Sequence, residues 1–250
     1  MPTELTYYGH ASFKLQTPSG KVILIDPWIR NPSLKNAEEE IRALDRVDLI
    51  CLTHGHADHT GQAVEIAKKT QARLVAIFEL AAAVRAVLGY PKELAETELN
   101  GHIGGEIELF GGEVTARFVP ALHGSMIPGE GNNPPVYAGP PTGVVLALRE
   151  GPAIYHTGDT DLFSDMALVP RERPIDWMLV CMGDHFTMGP SRAAEAIELV
   201  KPKNVVPIHY GTFPLLKGTP EMLEKEMRQR GSKATMHVIK PGEKLDISST

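Results

Sequence analysis

CLTHGHADHT, residues 51–60, places three histidines and an aspartate directly after a hydrophobic run. The chain has 10 histidines in 250 residues, so this density needs a chemical explanation. Imidazole and carboxylate groups are ligands of first-row transition metals, and crowding them together without a cation makes them compete for scarce hydrogen-bond donors. The stretch therefore favours a metal site at residues 54–59.

The spacing within this stretch predicts two metal ions. His54 and His56 are two residues apart on extended chain, so both can face one ion. Asp58 and His59 lie beyond a turn and can face a second ion. The pattern differs from HExxH, in which two histidines are one helical turn apart.

Three later segments supply the remaining candidate ligands. Each ends an apolar run and enters a glycine-containing turn: VTARFVPALHGS with His123, AIYHTGDT with Asp159, and NVVPIHYGT with His209. Such residues could gather on one rim of a sheet structure. The alternative interpretation is a set of unrelated polar residues at strand ends.

The order of patterns predicts an α/β fold. The runs LTYYGHASFKLQ and KVILIDPW flank a turn at residues 18–20 and predict a hairpin, and VDLICLTH predicts a strand buried on both faces. Helix-like and strand-like segments then alternate up to a Gly-Gly-punctuated antiparallel region after Gly101. The alternation resumes in the last third and closes on the predicted strand TMHVIKP. We expect one domain over residues 1–250, with two sheets and external helices.

Residues 124–143, GSMIPGEGNNPPVYAGPPTG, are rich in glycine and proline and have no periodicity. Loops of this length in compact domains are often lids or binding loops. The position directly after His123 favours an active-site loop or lid over a surface excursion.

The ordered pattern HGHADH, a downstream histidine, GDT and a final histidine resembles the metallo-β-lactamase superfamily of metal-dependent hydrolases. YYGHASF, IDPW and GDHFTMGP look most like the short branch related to ascorbate-6-phosphate lactonase. The resemblance covers essentially the whole chain and implies a four-layer αββα sandwich of two mixed sheets with external helices. In the flavin-linked oxygen reductases of this fold the first motif reads HxExD, with glutamate at the position that His56 occupies in this chain. This difference disfavours redox chemistry.

The resemblance also implies a role for each motif residue. One metal ion would be held by His54, His56 and His123, and the other by Asp58, His59 and His209, with Asp159 bridging the two. General acid–base chemistry at such a site would use Asp58 to accept the proton of the nucleophilic water, and His185 or a metal-bound water to protonate the leaving group. The resident ions are expected to be zinc, the usual choice in the superfamily, with manganese or iron as alternatives.

Other polar residues have weaker assignments. Asp26 follows a strand and is interpreted as a carboxylate that hydrogen-bonds a ligand histidine. His10 is a candidate near the substrate, and Asp184 is a candidate for orienting a ligand. His156 is predicted in the core or behind the ligands, and His102 and His237 are interpreted as structural.

The charge composition indicates which classes of binding partner to expect. Net charge is −6, from 25 basic and 31 acidic residues, so no general attraction to nucleic acid or anionic membranes is expected. No apolar run is long enough to span a bilayer and no secretory signal is evident, so the cytoplasm is the expected compartment. Cys51 and Cys181 lie within apolar runs and suggest buried thiols. A homo-oligomer is left open.

These observations predict a dinuclear metal-dependent hydrolase. A hydroxide bridging the two ions would attack an ester, lactone or amide bond of a small molecule. A phosphodiesterase or nuclease of the same fold is one alternative, although the acidic balance and compact length disfavour it. A non-catalytic metal-binding protein is the other alternative.

Overall fold

The computed structural model describes residues 1–129, 131 and 134–248, and the first of its two large sheets is built mainly by the N-terminal half. Its seven strands follow the order β16-β1-β2-β3-β4-β5-β6. They are β1 Glu4–Gly9, β2 Ser12–Gln16, β3 Val22–Ile25, β4 Leu49–Cys51, β5 Arg73–Ile77, β6 Asn100–Gly101 and β16 Lys244–Asp246. Strands β16 to β3 pair antiparallel and β3 to β6 pair parallel, so the sheet is mixed.

The second large sheet also has seven strands and is mixed, in the order β15-β14-β13-β12-β11-β8-β7. Its strands are β7 Glu106–Leu109, β8 Val114–Pro120, β11 Thr142–Leu148, β12 Ala153–His156, β13 Trp177–Cys181, β14 Asn204–Ile208 and β15 Thr235–Met236. Strands β7, β8, β11 and β12 pair antiparallel, whereas β12 to β15 pair parallel. Each sheet thus has an antiparallel half and a parallel half.

The helices follow the parallel strands, as their connections require. They are α1 Ala37–Ala43, α2 Ala57–Thr60, α3 Ala63–Thr70, α4 Phe78–Ala83, α5 Lys92–Ala95, α6 Pro190–Val200 and α7 Pro220–Arg230. A π-helical turn at Val84–Leu88 continues α4, and short 3-10 turns cover Phe110–Gly112 and Ser164–Leu168. In the part of the chain that the structure describes, no helix combines the length and apolarity needed to cross a bilayer.

The core explains why the central strands lack alternation. All residues of β3, β4, β11, β12 and β13 are buried, and one hydrophobic cluster includes side chains from both sheets. A strand covered on both faces is apolar throughout, since neither face meets water. The predicted sandwich of two mixed sheets with external helices is confirmed.

Several sequence-based boundaries were wrong. LTYYGHASFKLQ is two strands, β1 and β2, joined at His10 and Ala11, so the turn at residues 18–20 forms a second hairpin. The predicted closing strand TMHVIKP is reduced to β15, and the chain then returns to the first sheet as β16. Helix α1 was missed because only Ile41 of its seven residues is buried.

Residues 124–143 are partly regular. Two short strands, β9 Met126–Ile127 and β10 Val136–Tyr137, pair antiparallel, and residues 142 and 143 already belong to β11. The amide of Gly55 donates to Ser125 Oγ at 3.2 Å, which fastens the start of the segment beside the histidine cluster. The lid stays a prediction, and its residues 130, 132 and 133 lie outside the described residues.

Candidate metal centre

Strand ends bring the predicted metal-ligating residues to one rim of the two sheets. His54 follows β4, Asp58 and His59 lie in α2, and His123 follows β8. Asp159 follows β12, and His209 follows β14 directly. Residues that are up to 155 positions apart in the sequence therefore meet because their strands end on the same side.

A first group consists of His54, His56 and His123. One nitrogen from each ring lies within 4.8 Å of the others. His54 Nε2 is 3.1 Å from His56 Nδ1, and the two rings are nearly perpendicular. Three imidazoles converging on one point match the donor type and number of a zinc site with an open position.

A second group consists of Asp58, His59 and His209, with His10 beside them. His209 Nε2 lies 3.9 Å from Asp58 Oδ2, and all the donor atoms lie within 4.8 Å of one another. His59 and His209 are buried, whereas 27% of the Asp58 side chain is exposed. Asp58 is thus the member of this group that faces solvent.

Asp159 lies between the two groups. Its Oδ1 is 3.3 Å from His59 Nε2, and its Oδ2 is 2.9 Å from His209 Nε2 and 3.5 Å from His123 Nε2. The carboxylate therefore contacts histidines of both groups. It is 2% exposed.

Buried atoms at this centre lack hydrogen-bond partners. Among the described residues, His59 Nε2, Asp159 Oδ1 and His209 Nε2 have no hydrogen-bond partner, although His59 Nε2 lies 3.3 Å from Asp159 Oδ1 and His209 Nε2 lies 2.9 Å from Asp159 Oδ2. Leaving several buried polar atoms unsatisfied costs about 1–3 kcal/mol each. Convergent lone pairs on imidazole and carboxylate are what divalent metal ions bind, so these residues fit a metal centre.

Asp26 holds two of the histidines in the right tautomer. Its Oδ2 accepts from His59 Nδ1 at 2.7 Å and from Thr53 Oγ1 at 2.6 Å. Thr53 Oγ1 in turn lies 3.0 Å from His54 Nδ1 and can accept its proton. Both histidines therefore carry a proton on Nδ1 and aim Nε2 at the centre, where a bound metal ion would take the place of a proton.

Electrostatics follow from burial and from the two carboxylates. Burial alone would lower the pKa of His59, but Asp159 and Asp26 outweigh burial and raise it well above its usual value. Burial opposes ionisation of Asp159, yet His209 and His59 hold its pKa well below the usual range. Burial lowers the pKa of His54 well below its usual value. The site thus favours a neutral His54 beside an ionised Asp159.

Several of these residues have left-handed backbone conformations. The φ angle is +56° at His10, +44° at Asp26 and +57° at His209. Such conformations cost non-glycine residues on the order of 1–3 kcal/mol and are concentrated at functional sites. The surrounding hydrogen bonds, including His209 N to His10 O at 2.7 Å, stabilise them.

The predicted general acid, His185, lies outside these groups. It is exposed on the turn after β13, with φ +59°, and its ring packs edge-on against Phe186 at 4.4 Å between centroids. Asp184 beside it is also exposed and has φ +68°. The turn is tied to the metal-site region because Met188 N donates to Thr160 O, next to Asp159.

Sequence reasoning missed Thr53, and it gave His10 as a candidate near the site with its role left open. Thr53 stands directly before His54, which is the signal that could have revealed it. His10 was considered a substrate-facing candidate, but it is fully buried and its Nε2 and Nδ1 contact Asp58 and Thr212. Burial lowers the pKa of His10 to about 4.

The remaining histidines have structural contacts. His156 is fully buried and bonds Ala11 O at 2.8 Å, which links the two sheets. His237 Nε2 lies 2.9 Å from Asn204 Oδ1, and the exposed His102 is 3.5 Å from Glu79. Both thiols, Cys51 and Cys181, are free and buried.

The chain is similar to known metal-dependent hydrolases. The β-lactamase superfamily domain model matches residues 21–210. A UPF0173 metal-dependent hydrolase of Thermodesulfovibrio yellowstonii is 49% identical over 248 residues, covering 98% of this chain and 92% of that protein. A UPF0173 metal-dependent hydrolase of Rubrobacter xylanophilus is 40% identical, with 97% and 96% covered.

A solved structure shows the likeness in three dimensions. Igni18, a metallo hydrolase from the hyperthermophilic archaeon Ignicoccus hospitalis, superposes with a TM-score of 0.83 and 32% identity over 98% of both chains. The isothiocyanate hydrolase from Delia radicum gut bacteria has a TM-score of 0.71 at 20% identity, which supports the fold alone.

Proposed function

Because the chain belongs to the β-lactamase superfamily domain family and to the UPF0173 metal-dependent hydrolases, we propose that it is a dinuclear hydrolase that cleaves an ester, lactone or amide bond of a small molecule. The carboxylate of Asp159, which contacts histidines of both groups, is the observation that supports two ions most strongly. A single-metal enzyme would not need a second set of converging donors.

In the proposed centre, His54, His56 and His123 hold one ion, and Asp58, His59 and His209 hold the other, with Asp159 shared. The bound ions supply a water molecule acidified to near neutrality and polarise the oxygen of the bond under attack. The donor set has no thiolate, which suits zinc, manganese and iron. Zinc remains the proposed default.

The protein's own groups complete the chemistry. Asp58 is partly exposed and lies at the opening of the centre, so its carboxylate is the proposed acceptor of the water proton. Asp26 and Thr53 accept hydrogen bonds from Nδ1 of His59 and His54, so Nε2 of each ring is left to face a bound ion. His185 is the proposed donor to the leaving group, which requires the substrate to lie between its exposed turn and the centre.

Apolar side chains beside the centre support a small organic substrate. Leu122, next to His123, is 54% exposed, and Phe186, next to His185, is 48% exposed. Trp28 and Phe213 stack at 5.7 Å beside His10. Exposed apolar groups near the proposed ligands favour an uncharged small molecule over a nucleic acid.

A substrate panel tests this proposal. Zinc-loaded and manganese-loaded protein is assayed with p-nitrophenyl esters, lactones of several ring sizes, an anilide and bis(p-nitrophenyl) phosphate. We expect turnover of a carboxylic ester, lactone or amide, and loss of that turnover with chelator. Turnover of the phosphodiester alone would contradict the proposed bond type and favour the nuclease alternative.

Substitutions of proposed ligands test whether the turnover occurs at this centre. His56→Ala and Asp159→Ala each remove a proposed ligand, so we expect both to abolish turnover while the thermal unfolding of the metal-free protein remains cooperative. His237→Ala, which alters a histidine bonded to Asn204, is the matched control and should retain turnover. Undiminished activity of Asp159→Ala would rule out the assigned centre.

A further inference from the structure

His10 is not among the seven predicted ligands, yet its side chain is fully buried and one of its ring nitrogens lies within 4.8 Å of donor atoms of Asp58, His59 and His209. It lies in the turn between β1 and β2, where Gly9 and His10 both have positive φ angles of +99° and +56°. A left-handed histidine in a tight turn is uncommon, since glycine or asparagine adopts this conformation more easily. The residue is therefore held there by its contacts.

The side chain of His10 connects two polar groups. Its Nε2 lies 3.1 Å from Asp58 Oδ2, and its Nδ1 lies 2.9 Å from Thr212 Oγ1. An ionised carboxylate only accepts hydrogen bonds. His10 Nε2 therefore carries a proton and donates a hydrogen bond to Asp58. The neutral ring then leaves Nδ1 to accept from the Thr212 hydroxyl.

The same residue also fixes His209. The backbone carbonyl of His10 accepts from His209 N at 2.7 Å and from the Tyr7 hydroxyl at 3.2 Å. The imidazole of His10 lies against the ring of His209 with 3.9 Å between centroids. Trp28 and Phe213 close the other sides of the ring at 5.1 and 5.7 Å.

We propose that His10 is a positioning residue for the second metal site, where its Nε2–H holds Oδ2 of Asp58 and its ring and carbonyl hold His209. This inference rests on the proposed two-metal function, since Asp58 and His209 are assigned to the same ion there. Residues that orient metal ligands set both metal affinity and activity, and their loss costs about 10- to 100-fold. The Thr212 hydroxyl, which can donate or accept, contacts the Nδ1 atom that this tautomer leaves unprotonated.

Two conservative substitutions separate donation to Asp58 from the other contacts. The amide of His10→Gln can reach the position of Nε2 and still donate to Asp58, whereas the shorter amide of His10→Asn matches Nδ1 and contacts Thr212 alone. Asparagine accommodates the left-handed backbone, so His10→Asn is expected to fold. His156→Gln is the matched control, because His156 is equally buried but bonds backbone atoms of residues 11 and 158 instead of a proposed ligand.

The test is a zinc competition titration of the wild type and the three variants against a chromophoric chelator, with thermal unfolding as the check on folding. In His10→Asn we expect the affinity of one of the two zinc ions to fall about 10- to 100-fold while the other ion is unaffected. His10→Gln should retain most of the affinity, and His156→Gln should bind both ions as the wild type does. In an active preparation, kcat should follow the weakened site while KM changes little.

Two results would overturn the positioning role. One is a His10→Asn protein that binds both ions as tightly as the wild type. The other is a His10→Gln protein that loses as much affinity as His10→Asn, because donation to Asp58 would then be irrelevant. A wild type that binds one ion would instead contradict the two-metal proposal, and an unchanged affinity of that ion in His10→Asn would overturn the role of His10 as well.

Discussion

At the scale of single residues, the centre depends on which nitrogen of each histidine is free. His59 and His54 both direct Nε2 inward because Asp26 and Thr53 occupy their Nδ1 atoms. One buried carboxylate thus sets two tautomers. Asp26 also accepts from Thr53 N at 2.9 Å, so its orientation is fixed by the backbone.

We predict that Asp26→Asn lowers zinc affinity about 10- to 100-fold, because one of its two oxygens becomes a donor facing other donors. Asp176→Asn is the control: Asp176 is also buried, but it accepts from Ala153 N at 2.8 Å and pairs with Lys203. Chelator competition measures both variants. Equal affinities in the two variants would show that the Asp26 contact does not orient the ligands.

Most of the site could be predicted from the histidines and aspartates that follow apolar runs in the sequence. His54, His56, His123, Asp58, His59, His209 and Asp159 were all predicted, and they do meet. The part played by His10 could not be predicted, because its partners Asp58 and Thr212 are 48 and 202 residues away. His185 keeps its proposed role as a prediction.

At the scale of elements, sharp turns after the strands place the ligand side chains at the centre. Gly158, between β12 and Asp159, has φ +59°, and a Cβ there would lie 2.5 Å from Thr142 O. Thr142 in turn bonds Thr53 O through its backbone amide at 3.1 Å and through its hydroxyl at 2.8 Å. This turn therefore packs against the residue that precedes His54.

We predict that Gly158→Ala destabilises the protein by on the order of 3 kcal/mol, through the left-handed conformation and overpacking together. Gly111→Ala is the control, since Gly111 has φ +65° but open space around its Cα, and it should cost about 1 kcal/mol. Urea unfolding gives both free energies. Equal losses would mean that the close approach to Thr142 does not matter.

Long apolar elements were predicted well, and short polar ones were not. The strand VDLICLTH and the helix SRAAEAIELVK appear as β4 and α6, because their burial imposes a clear pattern. β16 has the sequence KLD, with exposed lysine and aspartate, and only its pairing with β1 makes it a strand. Because the two strands lie at opposite ends of the chain, the local sequence gives no indication of this pairing.

At the scale of the molecule, the fold concentrates buried histidines that are neutral at pH 7. Burial lowers the pKa of His10 to about 4 and lowers the pKa values of His54, His56, His123 and His156. Below the usual histidine pKa of about 6.5, the unfolded chain binds protons that the folded chain does not. Each of these groups therefore contributes stability above about pH 6.5 that is lost as the pH falls.

We predict that the metal-free protein has a lower melting temperature at pH 5 than at pH 7. His59, whose pKa is raised, opposes this trend only down to about pH 6, where its unfolded form also becomes protonated, and five histidines with lowered pKa values outweigh it. Calorimetry at constant ionic strength measures the effect. A melting temperature that rises toward pH 5 would contradict the neutral state of these histidines.

The proposed centre holds two metal ions that share Asp159. The most direct test is elemental mass spectrometry of protein reconstituted with zinc, manganese or iron and then freed of unbound metal, with Asp159→Ala measured alongside. We predict close to two ions per chain in the wild type and fewer in the variant. One ion or none in the wild type with every metal would contradict this prediction.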